Sequence, residues 1–247
     1  MSRPLEGRIA LVTGASRGIG RSVALGLAGA GAHVIAAART VGALEELDDA
    51  IKAAGGTATL VPIDLKDLEA VDRFAPAIAQ RWGKLDIFVG NAGVLGPISP
   101  VAHIDSKTFE DVFRVNVSAN FRLLKALDPS LRASDAGRVV MISSGAARRV
   151  RAFWGAYAAS KAALEALVRA YAAETMNITN VRAMLLNPGP MRTAMRAAAM
   201  PGEDAAKLPH PDALVPSVLK LVSPVWQETG KLFDFPTQSV IAYDQPV

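Results

Sequence analysis

Short, uniformly apolar runs alternate along this chain with longer stretches whose apolar positions recur every three or four residues. Residues 8–13, 33–38, 57–62, 85–90, 138–143 and 180–186 are of the first kind and read as strands; 231–235 adds a shorter one. Residues 18–30, 41–54, 68–82, 106–132, 156–176 and 211–222 are of the second kind and read as helices. Strands apolar at every position belong to a sheet buried on both faces, and strict strand–helix alternation makes that sheet parallel. The prediction is an α/β fold: a doubly wound parallel sheet of about seven strands, flanked by helices on both faces. No linker, low-complexity tract or repeat divides the chain, so one domain is expected over residues 1–247. The loosest stretch, 189–211, carries Pro190, Pro201, Gly202, Pro209 and Pro211. It follows the strand at 181–186, and ligands in such folds bind beyond the carboxyl ends of strands. This segment is therefore expected to cover a site.

Composition narrows the chemistry. A 51% hydrophobic content fills a substantial core, and 27 basic against 23 acidic residues leave a net charge of only +4. No Lys/Arg block reads as a nucleic-acid arm, although the pI near 9.5 keeps nucleic-acid binding as a third-ranked reading. With no cysteine, disulfides, thiolate nucleophiles and Cys-based zinc sites are excluded. His33, His103 and His210 are scattered, so no metal site is expected. Residues 1–7 are polar, and no apolar run reaches the roughly 18 residues of a membrane span. The expectation is a cytoplasmic protein without membrane or nucleic-acid partners.

Thr13-Gly14-Ala15-Ser16-Arg17-Gly18-Ile19-Gly20 joins the first strand to the first helix. Glycines there permit a tight turn and let backbone N–H groups approach a pyrophosphate at a helix N-terminus. Such a turn opening the first β-α-β unit points to a Rossmann-type, dinucleotide-binding fold. The second strand ends at Ala38-Arg39-Thr40, with no acid across 35–40. A carboxylate there would bind the ribose hydroxyls of NAD, whereas Arg39, with Arg17 beside it, suits the 2′-phosphate of NADP(H). Asp64, after the third strand, is placed either to accept from the adenine amino group or to serve as a turn or capping residue.

Tyr157 and Lys161 stand four apart near a helix start, on one face and about 6 Å apart along the axis. A nearby ammonium favours the phenolate and lowers the phenol pKa, so Tyr157 would exchange a proton with a carbonyl or alcohol oxygen. Ser143 and Ser144 close the fifth strand, where a hydroxyl can bond the reacting oxygen. Asn116 lies inside a long helical pattern; Asn is a mediocre interior helix residue, so it marks a local irregularity or a satisfied buried amide.

In order and spacing, these motifs resemble the short-chain dehydrogenase/reductases, in the single-domain branch. The resemblance runs from Gly7 to about Thr193 and rests on 13–20, Asp64, Asn91-Ala92-Gly93, Asn116, Ser144, Tyr157-x-x-x-Lys161 and Pro188-Gly189-x-x-x-Thr193. It implies Tyr157 as general acid in carbonyl reduction and base in alcohol oxidation. It implies that Lys161 lowers the pKa of Tyr157 and binds the nicotinamide ribose. Ser144 would orient the substrate oxygen, and Asn116 would hold a water extending a proton relay. The implied cofactor set is Gly14, Ser16, Arg17, Gly18, Ile19, Gly20, Arg39, Asp64, Leu65, Asn91, Ala92, Gly93, Tyr157, Lys161, Pro188, Gly189 and Thr193. NADP(H) is expected ahead of NAD(H), a small carbonyl or alcohol as substrate, and a homodimer or homotetramer as assembly.

Two positions depart from the family pattern. Gly90 replaces the first of the usual two Asn, and Pro236-Thr237-Gln238 follows the 231–235 strand where many relatives have Asp-Gly-Gly. The second weakens the tetramer expectation while leaving the catalytic set untouched. Arg148, Arg149 and Arg151 lie at the expected pocket mouth, to attract an anionic substrate or simply as a solvated loop. Phe153 and Trp154 would line a pocket or an intersubunit contact. Met191, Met195 and Met200 suit either an adaptable lid or helix packing. The alternative function is an NADP(H)-binding sensor with little turnover, disfavoured because Asn116, Ser144, Tyr157 and Lys161 are all present.

Overall fold

A computed structural model describes residues 3–243; positions 1, 2 and 244–247 lie outside it. Eight strands form one sheet: β1 Ile9–Thr13, β2 His33–Ala38, β3 Thr57–Pro62, β4 Ile87–Gly90, β5 Arg138–Ile142, β6 Arg182–Asn187, β7 Leu232–Asp234 and β8 Ser239–Ile241. Their spatial order is β3-β2-β1-β4-β5-β6-β7-β8. Seven strands are parallel, and β8 folds back antiparallel onto β7. The additional strand was not legible in sequence: three residues after a proline turn carry no periodicity of their own.

Alternate strand residues supply the two faces of the core. Leu11, Ile35, Phe88, Val139, Met141 and Leu185 pack under α3 (Leu68–Trp82), α5 (Ala119–Arg132) and α6 (Gly155–Thr175). Val12, Val34, Val89, Val140, Met184 and Leu186 pack under α1 (Gly18–Gly29), α2 (Val41–Ala53) and α8 (Val215–Leu221). This doubly covered sheet is the expected Rossmann-type fold. Strand order reverses direction between β1 and β4, which opens a crevice above their carboxyl ends.

The stretch read as one helix over 106–132 is three pieces: α4 (Ser106–Phe113), a π-helical segment Arg114–Ser118, and α5. Asn116 sits in the π segment, so the irregularity it signalled is real. A π turn shifts the backbone pairing; Asn120 Nδ2 donates to the Val115 and Asn116 carbonyls at 3.4 and 3.0 Å. The 189–211 segment contains α7 (Ala194–Ala199) and a short 3₁₀ turn, Ala205–Lys207. Arg192 ties it together by donating to the carbonyls of Ala205, Ala206 and Leu208.

Candidate active site

The Gly-rich turn is built around close backbone approaches. Gly14 has φ +65°, and a Cβ there would lie 2.9 Å from Asn91 Nδ2. A Cβ on Gly20 would lie 2.5 Å from the same nitrogen and nearer still to the Gly14 carbonyl oxygen. Asn91 bolts this turn to β4: its Nδ2 donates to Thr13 O at 2.9 Å and Gly14 O at 3.2 Å. Thr13 Oγ1 accepts from the amides of Asn91 and Ala92, both at 3.1 Å. Thr13, which opens the Gly-rich motif in the sequence, is a positioning residue whose hydroxyl role the sequence did not show. At Gly90 a Cβ would overlap Met141 Sδ and lie 3.0 Å from Asn120 Oδ1, so a side chain there would require Met141 to move.

A cavity of about 1240 Å³ runs from this turn across the sheet crevice to α6. Its walls include all the expected cofactor residues apart from Gly20, which lies buried beneath the turn. Arg17 and Arg39 are exposed at its mouth and make no side-chain hydrogen bond or ion pair among the described residues. Arg21, one turn into α1, lines the same end and was missed. Asp64 serves locally as a turn residue, its Oδ1 accepting from Lys66 N at 3.0 Å, while still facing the cavity. Thr193 caps α7, accepting from Arg196 N at 3.2 Å. The glycine cradle, the free α1 amides and two unpaired guanidinium groups fit a dinucleotide bearing an extra phosphate.

At the other end stand Ser144, Tyr157 and Lys161. Tyr157 is 8% exposed and Lys161 3%. Trp154 packs edge-on to the Tyr157 ring, with centroids 6.0 Å apart. Lys161 Nζ lies 5.9 Å from the Tyr157 ring centroid and donates to Ile142 O at 2.8 Å. Burial pushes the Lys161 ammonium down to about 8, against the opposing pull of Glu165. The expected lowering of the Tyr157 pKa is not what the geometry produces. Burial raises it, and the Ser144 hydroxyl only partly opposes this. Spacing correctly put the two groups on one face, but Nζ turns to a backbone carbonyl, so desolvation wins at the phenol.

Asn116 is a satisfied buried amide. Its Oδ1 accepts from Val94 N at 2.8 Å, and its Nδ2 donates to Val94 O at 2.9 Å and Ser160 Oγ at 3.0 Å. What that side chain offers Lys161 is position: it holds the Gly93–Val94 backbone against α6, where a Cβ on Gly93 would lie 3.5 Å from Lys161 Nζ.

Among the described residues, the C-terminal segment packs beside the site without contacting Asn116, Ser144, Tyr157 or Lys161 through a side-chain hydrogen bond. Parallel pairing of β7 with β6 brings Asp234 beside Asn187, whose Nδ2 donates to Asp234 Oδ1 at 2.6 Å. The turn that follows stacks Pro236 on Gly189, where a Cβ would lie 2.5 Å from Pro236 Cγ. After β8, the Tyr243 hydroxyl donates to Glu165 Oε2 at 2.6 Å, and Ser143 Oγ donates to Oε1 at 2.5 Å. Glu165, 4% exposed and one turn beyond Lys161, was also missed, because a Glu in a long helix ordinarily faces water. Glu165→Gln should lower the unfolding free energy in urea by about 1–3 kcal/mol, since the amide keeps one acceptor and sets a donor against the second buried hydroxyl. Met191 is 2% exposed and belongs to the core, so it anchors the 189–211 segment rather than forming an adaptable lid.

A family model described as short chain dehydrogenase matches residues 8–204. The chain belongs to the short chain dehydrogenase family. It is 41% identical over 234 residues to the uncharacterized oxidoreductase YciK of Escherichia coli (strain K12), covering 93% of this chain and 92% of that protein. A short chain dehydrogenase structure from Pseudomonas syringae superposes with a TM-score of 0.92 at 36% identity, over 95% of this chain and 97% of that one. One from Escherichia coli CFT073, complexed with NADPH, gives 0.88 at 40% identity, over 95% and 99%. The protein is thus an oxidoreductase of this family. Among the described residues, no helix is long and apolar enough to cross a membrane.

Proposed function

We propose that this short chain dehydrogenase interconverts a carbonyl and an alcohol with NADP(H), using Tyr157 as the proton donor and acceptor. The observation that carries this reading is the convergence of Ser144, Tyr157 and Lys161 on the same cavity as the glycine cradle. When bound, the cofactor supplies the hydride in reduction and takes it up in oxidation.

The remaining work falls to the chain's own side chains. Ser144 donates a hydrogen bond to the substrate oxygen and sets its distance from the phenol. Tyr157, kept protonated by burial, gives its proton to that oxygen in reduction and recovers one in oxidation. Lys161 supplies the positive charge that the departing proton leaves uncompensated, and grips the nicotinamide ribose. Asn116 and Glu165 act through Lys161: the first fixes the backbone opposite its ammonium, the second supplies a carboxylate one turn away. Asn116, in the π-helical segment beside Lys161's helix, holds the relay water. Pro188, Gly189 and Thr193 position the nicotinamide, with Pro236 packed against Gly189. Residues 189–211 cover the substrate.

The preference for NADP(H) rests on Arg17 and Arg39, both unpaired at the cavity mouth, and on the structural relative complexed with NADPH. Arg39→Asp should weaken NADPH relative to NADH by about tenfold to a hundredfold, because charge-assisted bonds to the 2′-phosphate are lost. Fluorescence titration of both cofactors measures this. A wild-type protein that binds NADH as tightly as NADPH contradicts the assignment.

A further inference from the structure

Eight arginines and Lys161 line the cavity, against two carboxylates, Asp64 and Asp234. Arg17, Arg21 and Arg39 follow β1 and β2, at the end assigned to the cofactor phosphates. The other five follow β5 and β6: Arg148, Arg149 and Arg151 between Ser144 and Tyr157, and Arg192 and Arg196 on the 189–211 segment. Three of the five are already committed. Arg196 makes a two-pronged pair with Glu203 at 2.5 and 2.6 Å. Arg192 spends its donors on three backbone carbonyls. Arg148 lies 3.7 Å from Asp234. Arg149 and Arg151 remain: among the described residues neither side chain has a hydrogen bond or ion pair, and Arg151 acts on Glu203 only through space.

Their backbone is fixed rather than loose. The amides of Arg148 and Arg149 both donate to Gly145 O, at 3.2 and 2.8 Å, and Trp154 N donates to Arg151 O at 3.2 Å. Ser99 N donates to Phe153 O at 3.0 Å, holding Phe153 at φ +74°, a left-handed conformation costly for a bulky residue. Val150 and Phe153, 72% and 52% exposed, alternate with the arginines along this lip. Two guanidinium groups without partners, on a pinned loop and facing a cavity with almost no acid, form a receptor for an anionic oxygen group.

We infer that the carbonyl substrate carries a carboxylate or phosphate, bound by Arg149 and Arg151, with an apolar body between that group and the reacting carbon. This rests on the proposed carbonyl reduction only for the orientation of the ligand; the anion site itself follows from the charges.

Three matched aldehydes test it: para-carboxybenzaldehyde, its methyl ester, and para-formylphenyl phosphate. Calorimetric binding to the NADP-loaded protein and kcat/KM for NADPH oxidation are measured for each, in the wild type and in Arg149→Glu/Arg151→Glu. The wild type should bind at least one anion about tenfold more tightly than the ester, as one charge-assisted bond provides. The difference should shrink at raised salt and vanish or invert in the double variant. A dominant carboxylate or phosphate arm tells which anion is read. Equal binding of all three by the wild type, or a preference untouched by the double variant, overturns the inference. Arginine-dependent anion binding with no reduction of any aldehyde would leave the anion site standing and count against the oxidoreductase chemistry instead.

Discussion

Tyr157→Phe is expected to lower kcat for carbonyl reduction by about 10²–10⁴-fold, the range that a positioned general acid contributes. The substitution removes one oxygen from a side chain that is 8% exposed and packed edge-on against Trp154. Its ring packing remains, so fold and NADPH affinity should persist. The loss should therefore fall in turnover rather than in cofactor binding. Steady-state kinetics with a parallel fluorescence titration separate the two. Near-normal kcat in this variant would remove Tyr157 as the proton donor.

Lys161→Met should have a comparably large effect, cutting kcat/KM by about a hundredfold or more as the phenolate loses its cation. It carries a second signature in stability. Lys161 is held at about 8 in the fold, by burial, against an ordinary value of 10.5. Below pH 8 it is charged both folded and unfolded, and the fold bears the full cost of a buried ammonium. Between about 8 and 10.5 the folded protein has lost that proton while the unfolded chain retains it. Unfolding then takes up a proton, so stability rises with pH across this window, by about 3 kcal/mol in total. Urea unfolding of the cofactor-free protein should show this rise in the wild type, and Lys161→Met should abolish it. A rise of the same size in both proteins would contradict the buried-ammonium account. Glu165→Gln should extend the lower edge of this window to lower pH, because Glu165 opposes the effect of burial, while the upper edge, set by the unfolded chain, stays in place.

Much of the fold was legible because its determinants are local. Six strand runs and six helical patterns could be read directly, since strands buried on both faces are apolar throughout and the covering helices carry one apolar stripe. The Gly-rich turn was legible because Gly14 and Gly20 answer to close approaches that only glycine tolerates. What stayed hidden depends on neighbours remote in sequence. Thr13 and Asn91 meet across the β1–β4 crevice, 78 residues apart. Glu165 looks like any helix-surface acid until Tyr243, also 78 residues away, is brought to it by β8. The direction of the Tyr157 pKa was misread for the same reason. Spacing reports that Lys161 shares a face with the phenol, whereas the competing Ile142 carbonyl belongs to another element. Asn116 shows the intermediate case: its type signalled a break in the helix, and only the structure revealed a π turn with the amide clamped on Val94.

The most direct test of the central claim is stoichiometric. Wild-type protein is mixed with NADPH and a panel of aldehydes and ketones, and cofactor oxidation is followed by absorbance while the alcohol product is quantified by chromatography. The account predicts one alcohol formed for each NADPH consumed, markedly slower turnover with NADH, and turnover lowered about 10²–10⁴-fold in Tyr157→Phe under the same conditions. Tight NADPH binding with no alcohol formed from any carbonyl would contradict it.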